Sequence, residues 1–497
     1  MLAIATFLLF AASGGGRIVG SDEVTMFQVA RAMLHGRIDV PEGATLRGRG
    51  GAFYSKNMAG QAVLALPLVA FSEGAARLAP ERSRERASRA LVSFFNAIVS
   101  AVLLGVFYAA ARSLGAGAPA ALTGALLLGF TTPIWVYSKS FMAEPLEALG
   151  LLLALSGSAC ARSGLPRAPR VAALGVLLAV GAKLSMLPLA LACLAPLVLS
   201  PRATWRWPAA ALVLALAAHA AYDFARFGTP LETGYGTQVS ASAYSTPLLV
   251  GLYGLLFSSG KGVFWFAPLL WLAPAGFVAL RARAAADGRG AARAAVAVGS
   301  LLAALAALLL YSRFEHWAGE GSFGPRYLLP LLPLVFLPIV FALDGASRAR
   351  SGLALFLGTC GFVVALGGVG IYFGAAMHEA GDYPYTLPLD DPHFMESSHF
   401  NPRFSPIARH WAMLSRNVAL HLRGRAPHVS SAAANDSRLG LSAEEQRELL
   451  HALDFWWTYA AYAGLSALPL ALVALALVIA GLITLRATWR SAGAEAG

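Results

Sequence analysis

The chain has 497 residues, 57% hydrophobic and only 13% charged, with a formal net charge of +12. Soluble domains carry about 25% charged residues, and a chain this long and apolar cannot hide its apolar groups in one aqueous core. That excludes an ordinary cytosolic enzyme, a disordered chain and a secreted disulfide scaffold, and leaves an all-α polytopic membrane protein.

A spanning helix needs about 20 mostly apolar residues. In chain order the candidates are 2–16, 90–111, 118–137, 145–160, 171–183, 185–200, 208–222, 262–280, 294–311, 327–343, 352–373 and 457–485. About 12 spans (11–13) are therefore expected, with both termini on the inner, cytoplasmic side. The first is short and reads as an uncleaved helix. The proposed inner loops hold fourteen of the 38 basic residues but only Asp287, Asp344 and Glu495 among the acidic ones, as the positive-inside rule requires. The same bias accounts for the positive charge, and no nucleic-acid-binding motif accompanies it. The arginine-rich run 77–89 argues the other way and would be inner if 60–79 spanned. The apolar stretch 60–71 is short and broken by Pro67, so it reads as re-entrant or interfacial.

Two long outer segments follow from this topology, 17–89 and 374–456. They divide the chain into a membrane core over 1–373, a late outer segment, and a last helix and tail over 457–497. Ser442 and Glu445 have capping-box spacing, and Trp456 and Trp457 are expected to be interfacial anchors. Cys160, Cys193 and Cys360 all lie in apolar runs, which implies neither a disulfide framework nor a metal knuckle.

Ionisable groups at membrane helix ends are costly to bury and often mark function. Asp22 and Glu23 follow the first helix, where they serve equally well as a solvated cap of an amphipathic segment 23–34. Glu144 precedes Pro145 at a helix start, a position that also suits the helix dipole. Arg313, Glu315, His316, Trp317 and Arg326 crowd one outer loop. Arg326 reads either as a snorkelling interfacial arginine or as a phosphate clamp. Only four basic residues are lysines, Lys56, Lys139, Lys183 and Lys261, and all map to proposed outer ends. Several compact cations with a few carboxylates at a membrane surface suit an amphiphilic phosphate substrate.

In order and spacing, several motifs resemble the multi-pass GT-C glycosyltransferases. The resemblance is to the branch that uses phospholipid carriers and is similar to protein O-mannosyltransferases and lipid A aminoarabinose transferases. They are Asp22–Glu23, Tyr-Ser-Lys-Asn-Met-Ala-Gly-Gln at 54–61, Met-Ala-Glu-Pro-Leu at 142–146 and the helix end at Lys183. They continue with Arg-Phe-Gly-Thr-Pro-Leu-Glu-Thr-Gly-Tyr-Gly at 226–236, Gly-Leu-Leu-Phe-Ser-Ser-Gly-Lys-Gly at 254–262 and Gly-Ser-Phe-Gly-Pro-Arg-Tyr-Leu-Leu-Pro at 321–330. The resemblance covers roughly residues 1–345.

It implies a bacterial inner-membrane enzyme with its site on the periplasmic side. Such an enzyme transfers a sugar from a polyprenyl-phosphate donor, with inversion, to an acceptor the sequence does not name. It further implies Asp22 as base, with Glu23 and Glu144 as the other acidic positions. Substrate contacts are expected from Tyr54, Lys56, Lys139, Lys183, Glu232, Tyr235, Lys261, His316, Trp317, Arg326 and Tyr327. Membrane lipid and the lipid-linked donor are the expected partners, and a monomer is expected. No Asp-X-Asp pair supports an obligatory divalent metal, and no other cofactor is implied. A transporter or a flippase of lipid-linked sugars is the rival class. It predicts functional charges near the bilayer midplane and symmetry between halves.

Overall fold

The computed structural model describes residues 1–43, 45–201, 204–283, 287–319, 322–374, 399–427 and 450–494. Helices account for nearly all of its regular structure, and a two-residue antiparallel pair, Leu46↔Tyr54 and Arg47↔Phe53, is the sheet among the described residues.

The N-terminal part comprises α1 (Leu2–Ala12), α2 (Ser21–Leu34), strands β1 (Leu46–Arg47) and β2 (Phe53–Tyr54), α3 (Gly60–Ala76), α4 (Arg84–Val92) and α5 (Phe95–Ser113). Then come α6 (Ala118–Phe130), α7 (Pro133–Tyr137), α8 (Glu144–Arg162), α9 (Ala168–Ala182), α10 (Leu187–Leu194), α11 (Arg206–Phe227) and α12 (Leu248–Phe257). The remainder is α13 (Val263–Phe266), α14 (Ala273–Ala282), α15 (Gly290–Arg313), α16 (Leu332–Leu343), α17 (Arg348–Gly370), α18 (Pro406–Leu422), α19 (Trp456–Tyr462) and α20 (Ala467–Ala494).

Among the described residues six helices are long and apolar enough to cross a membrane: 84–113, 206–227, 290–313, 326–343, 348–370 and 467–494. Seven shorter apolar helices of 10–17 residues accompany them. Several expected spans are broken, mostly at prolines. Pro133 starts α7, where Thr132 accepts a hydrogen bond from the Ile134 amide, so 118–137 is two helices. Around Pro268 the stretch 262–280 becomes α13, a 3-10 turn and α14. Pro196 likewise ends α10 in 3-10 geometry. The last span starts at Ala467 rather than 457, because the chain turns at Gly464 with φ +94°. The short run at 60–71 forms α3, which carries Pro67 inside it and packs against α2 and α4. The expected capping box at Ser442 and Glu445 lies outside the described residues.

Small residues set the closest helix packing. Gly150, Gly157 and Gly175 let α8 and α9 meet backbone to backbone, and a Cβ on Gly150 would lie 2.5 Å from the Ala179 nitrogen.

A buried charge cluster closes the chain on itself. Asp454 accepts from Arg17 Nε at 2.6 Å and from the Tyr459 hydroxyl at 2.8 Å, and pairs with Lys139 Nζ at 2.7 Å. Lys139 also donates to the Val369 carbonyl at 2.7 Å. Beside it the Trp456 amide and indole donate to the Gly14 and Ala11 carbonyls, at 2.8 and 2.9 Å. Burial opposes ionisation of Asp454, but Arg17 and Lys139 outweigh it and hold its carboxyl below the usual range. Removing one partner of such a cluster leaves buried charges uncompensated, at a cost of about 3–5 kcal/mol. Asp454→Ala should therefore lower the thermal unfolding midpoint of the detergent-solubilised protein by several degrees. A midpoint equal to that of the wild type would show that the cluster carries no stability.

Candidate functional site

Three helix ends and two loops build a cavity of about 370 Å³ at one end of the bundle. Asp22 comes from the first turn of α2, Lys56 from the stretch after β2, Lys183 from the break that ends α9, and Arg326 from the 3-10 turn preceding α16. Tyr235, His316 and Tyr327 also line it. Of the residues expected at a site, these seven share one space.

Arg326 is the hub. Its Nη2 donates to Asp22 Oδ2 at 3.3 Å, and its Nε donates to Glu144 Oε1 in a short contact. Glu144 stands behind the guanidinium rather than in the cavity wall, with its carboxylate 1% exposed. Asp22 Oδ1 keeps looser neighbours, Lys56 Nζ at 3.9 Å and Asn57 Nδ2 at 3.5 Å. Burial alone would raise the Asp22 carboxyl. Arg326, Lys56 and Lys183 outweigh it and hold the group below the usual value of 3.8, so Asp22 is ionised at neutral pH.

The Lys183 ammonium makes no hydrogen bond or close ion pair among the described residues; it sits 5.1 Å from the centre of the Tyr327 ring. That ring stacks on Tyr311 with centroids 4.6 Å apart and planes 4° from parallel, and Ser185 meets the Tyr311 hydroxyl at 3.0 Å. Tyr235 closes the other wall. Its hydroxyl donates to Asn57 Oδ1 at 3.4 Å, and burial pushes its phenol up to about 12, so it remains a neutral donor. The wall thus presents Lys56, Lys183 and Arg326 against the single carboxylate Asp22. Three cations against one carboxylate suit an anion, and flat aromatic faces suit a sugar ring.

The other expected residues are elsewhere. Glu23 caps α2: its Oε2 accepts from the Gly20 amide at 2.9 Å and its Oε1 from the Phe141 amide at 2.5 Å. Lys139 belongs to the Asp454 cluster. Lys261 donates to the carbonyl and hydroxyl of Ser322 at 2.7 and 3.2 Å. Trp317 is buried against Phe400, with ring centroids 5.8 Å apart. Tyr54 packs on Phe227, its hydroxyl bonded to the Arg49 carbonyl at 3.3 Å. Glu232 is exposed and accepts from the Gly234 amide at 2.9 Å.

The sequence reading passed over Asn57, Tyr311 and Glu147. Glu147 lies three residues after Glu144, buried on α8, and its Oε1 has no hydrogen-bond partner among the described residues. A second carboxylate inside an apolar helix was the signal for it. Among the described residues no group of three or more His, Cys, Asp or Glu side chains converges as a metal site would. Asp22 and Glu144 both turn an oxygen to Arg326, so this pair does not fit a divalent ion as it stands.

No protein-family profile matches the chain, and no curated protein does. Solved structures similar to it include ArnT from Cupriavidus metallidurans in the apo state (TM-score 0.47, 17% identity, covering 96% of this chain and 75% of that one). The same protein bound to undecaprenyl phosphate gives a TM-score of 0.45 at 17% identity, over 97% and 76% of the two chains. The archaeal oligosaccharyltransferase AglB from Archaeoglobus fulgidus, in complex with an inhibitory peptide and a dolichol-phosphate, gives 0.41 at 14% identity. That match covers 70% of this chain and 52% of AglB, so the chain spans about half the length of that relative. Both proteins are GT-C superfamily membrane glycosyltransferases.

The Asp22 carboxyl titrates lower in the folded protein than in the unfolded chain. Its contribution to stability is therefore complete above pH 3.8 and is lost as the pH falls through the lower folded value. The gap in unfolding midpoint between wild type and Asp22→Asn should be flat from pH 8 to about pH 5 and shrink below about pH 4. A gap that instead widens on acidification would mean the carboxylate is not held by the three cations.

Proposed function

We propose that this cavity transfers a glycosyl group from a polyprenyl-phosphate donor to a hydroxyl or amine acceptor at the outer side of the membrane. The observation that carries the reading is the convergence of Asp22, Lys56, Lys183 and Arg326, from four distant parts of the chain, on one cavity beside the stacked Tyr311 and Tyr327. The sequence resemblance supplies the donor class. The chemistry of the wall supports a phosphate leaving group.

In this reading the acceptor oxygen or nitrogen attacks the anomeric carbon from the face opposite the phosphate. The bond from that carbon to the phosphate oxygen breaks, the acceptor proton passes to Asp22, and the polyprenyl phosphate departs with both bonding electrons. Charge appears on the phosphate in the transition state, and fixed cations aimed at it are worth the most there. Lys183, not tied to a carboxylate at contact distance, is the cation best placed to take that charge. Lys56 and Arg326 complete the clamp, and Arg326 also keeps Asp22 oriented. Glu144 acts through Arg326 as a positioning residue. The periplasmic face of a bacterial inner membrane, with cytoplasmic termini, is part of the same proposal.

The test is transfer or hydrolysis of radiolabelled polyprenyl-phosphate sugars by the purified protein in detergent. Asp22→Asn, nearly isosteric, should lower turnover by about 10²- to 10⁴-fold, while Lys183→Gln should lower kcat and raise KM for the donor. Wild-type turnover in Asp22→Asn would remove the base. Movement of intact donor across a vesicle membrane with no polyprenyl phosphate released would replace transfer by flipping.

A further inference from the structure

A second cavity lies away from the site, between α1, α6, α17 and α20. It is a groove of about 680 Å³ walled by Leu9, Leu126, Phe130, Phe362, Leu475 and Val478. It joins a second space of about 440 Å³, with Leu126, Leu485 and Trp489 common to both. From Ala471 to Trp489 the groove follows about 27 Å of helix, close to the full hydrocarbon thickness of about 30 Å. One end is closed by Ser13, Trp135 and Trp457, where the Trp135 indole donates to the Ser13 hydroxyl at 3.0 Å. The other end is walled by Arg486, Trp489 and Arg490.

Arg486 and Arg490 sit one helical turn apart on the same face of α20, both exposed, and neither pairs with a carboxylate among the described residues. α20 packs on α1, α19 and α6, and 11% of its apolar window is buried. An apolar slot of membrane depth that ends in two paired guanidinium groups has the shape of an amphiphile with an anionic head.

We propose that this groove holds an anionic glycerophospholipid, its acyl chain along α20 and its phosphodiester on Arg486 and Arg490. The arginine forks match phosphate oxygens, and basic side chains at a membrane surface attract anionic headgroups. Among the described residues the mouth presents Arg486 and Arg490 and no carboxylate, which favours an anionic head over a zwitterionic one. A second copy of this chain, related by a two-fold axis along the membrane normal, would bring its own Arg486 and Arg490 to the same end and meet repulsion. The lipid site is separate from the cavity around Asp22 and stands or falls independently of the reading of that cavity.

The test is native mass spectrometry of the whole protein released from micelles doped with equimolar phosphatidylglycerol and phosphatidylethanolamine. The wild type should keep one phosphatidylglycerol, about tenfold in preference to the other lipid. Arg486→Gln/Arg490→Gln should erase the preference. Leu126→Trp, which fills the groove without touching charge, should remove the adduct altogether. Equal retention of both lipids by the wild type would overturn the proposal, as would an adduct unaffected by both variants, or a dimer in place of the lipid-bound monomer.

Discussion

The whole site depends on one guanidinium. Arg326 sits between Glu144 and Asp22, and so joins the starts of α8 and α2 to the turn that leads into α16. The carboxylate of Glu144 is almost completely enclosed, a position that would be prohibitive without an opposite charge at contact distance. The pair is thus obligatory for Glu144, and Arg326 is fixed before any substrate arrives. Asp22, by contrast, shares only the outer nitrogen and keeps its second oxygen in loose contacts. One arginine therefore divides two carboxylates into a structural anchor and a group facing the cavity.

The arrangement backs the positive wall of the cavity with packed and hydrogen-bonded neighbours. Lys183 is presented by a break between two helices, held over Tyr327, which in turn is clamped by Tyr311 and, through it, by Ser185. Tyr235, Asn57 and Thr25 form a second polar chain that fixes the loop carrying Lys56 against α2, with Asn57 donating to Thr25 Oγ1 at 3.1 Å. Preorganisation of this kind lowers the reorganisation needed when charge develops on a ligand.

Much of this was legible in the sequence, for physical reasons that also mark where legibility ended. Asp22, Lys56, Lys183 and Arg326 are polar residues at the ends of apolar runs, where burial is costly enough to announce itself. The lysine rule that flagged Lys139 and Lys261 could not tell a cation facing a cavity from one held by a partner elsewhere in the chain. Asp454 and the Ser322 carbonyl are such partners. Glu23 looked like half of an acidic pair, but consecutive residues on a helix face different directions, and its carboxylate turns inward to cap α2 and hold Phe141. The apolar runs located most of the apolar helices but not α12. They missed the breaks at Pro133, Pro196 and Pro268, where a missing amide interrupts a helix that hydropathy alone draws as continuous.

The contact between Arg17 and Asp454 spans 437 positions of sequence. Because synthesis proceeds from the N-terminus, Arg17 and Lys139 are made long before the anion that neutralises them. Until the penultimate helix emerges, the nascent protein carries two cations bound for a dry interior with no counter-ion. The tie between Arg17 and Asp454 is thus a ring closure, with an early loop waiting for a late one, and any chain cut short before residue 454 is left with its first loop untied.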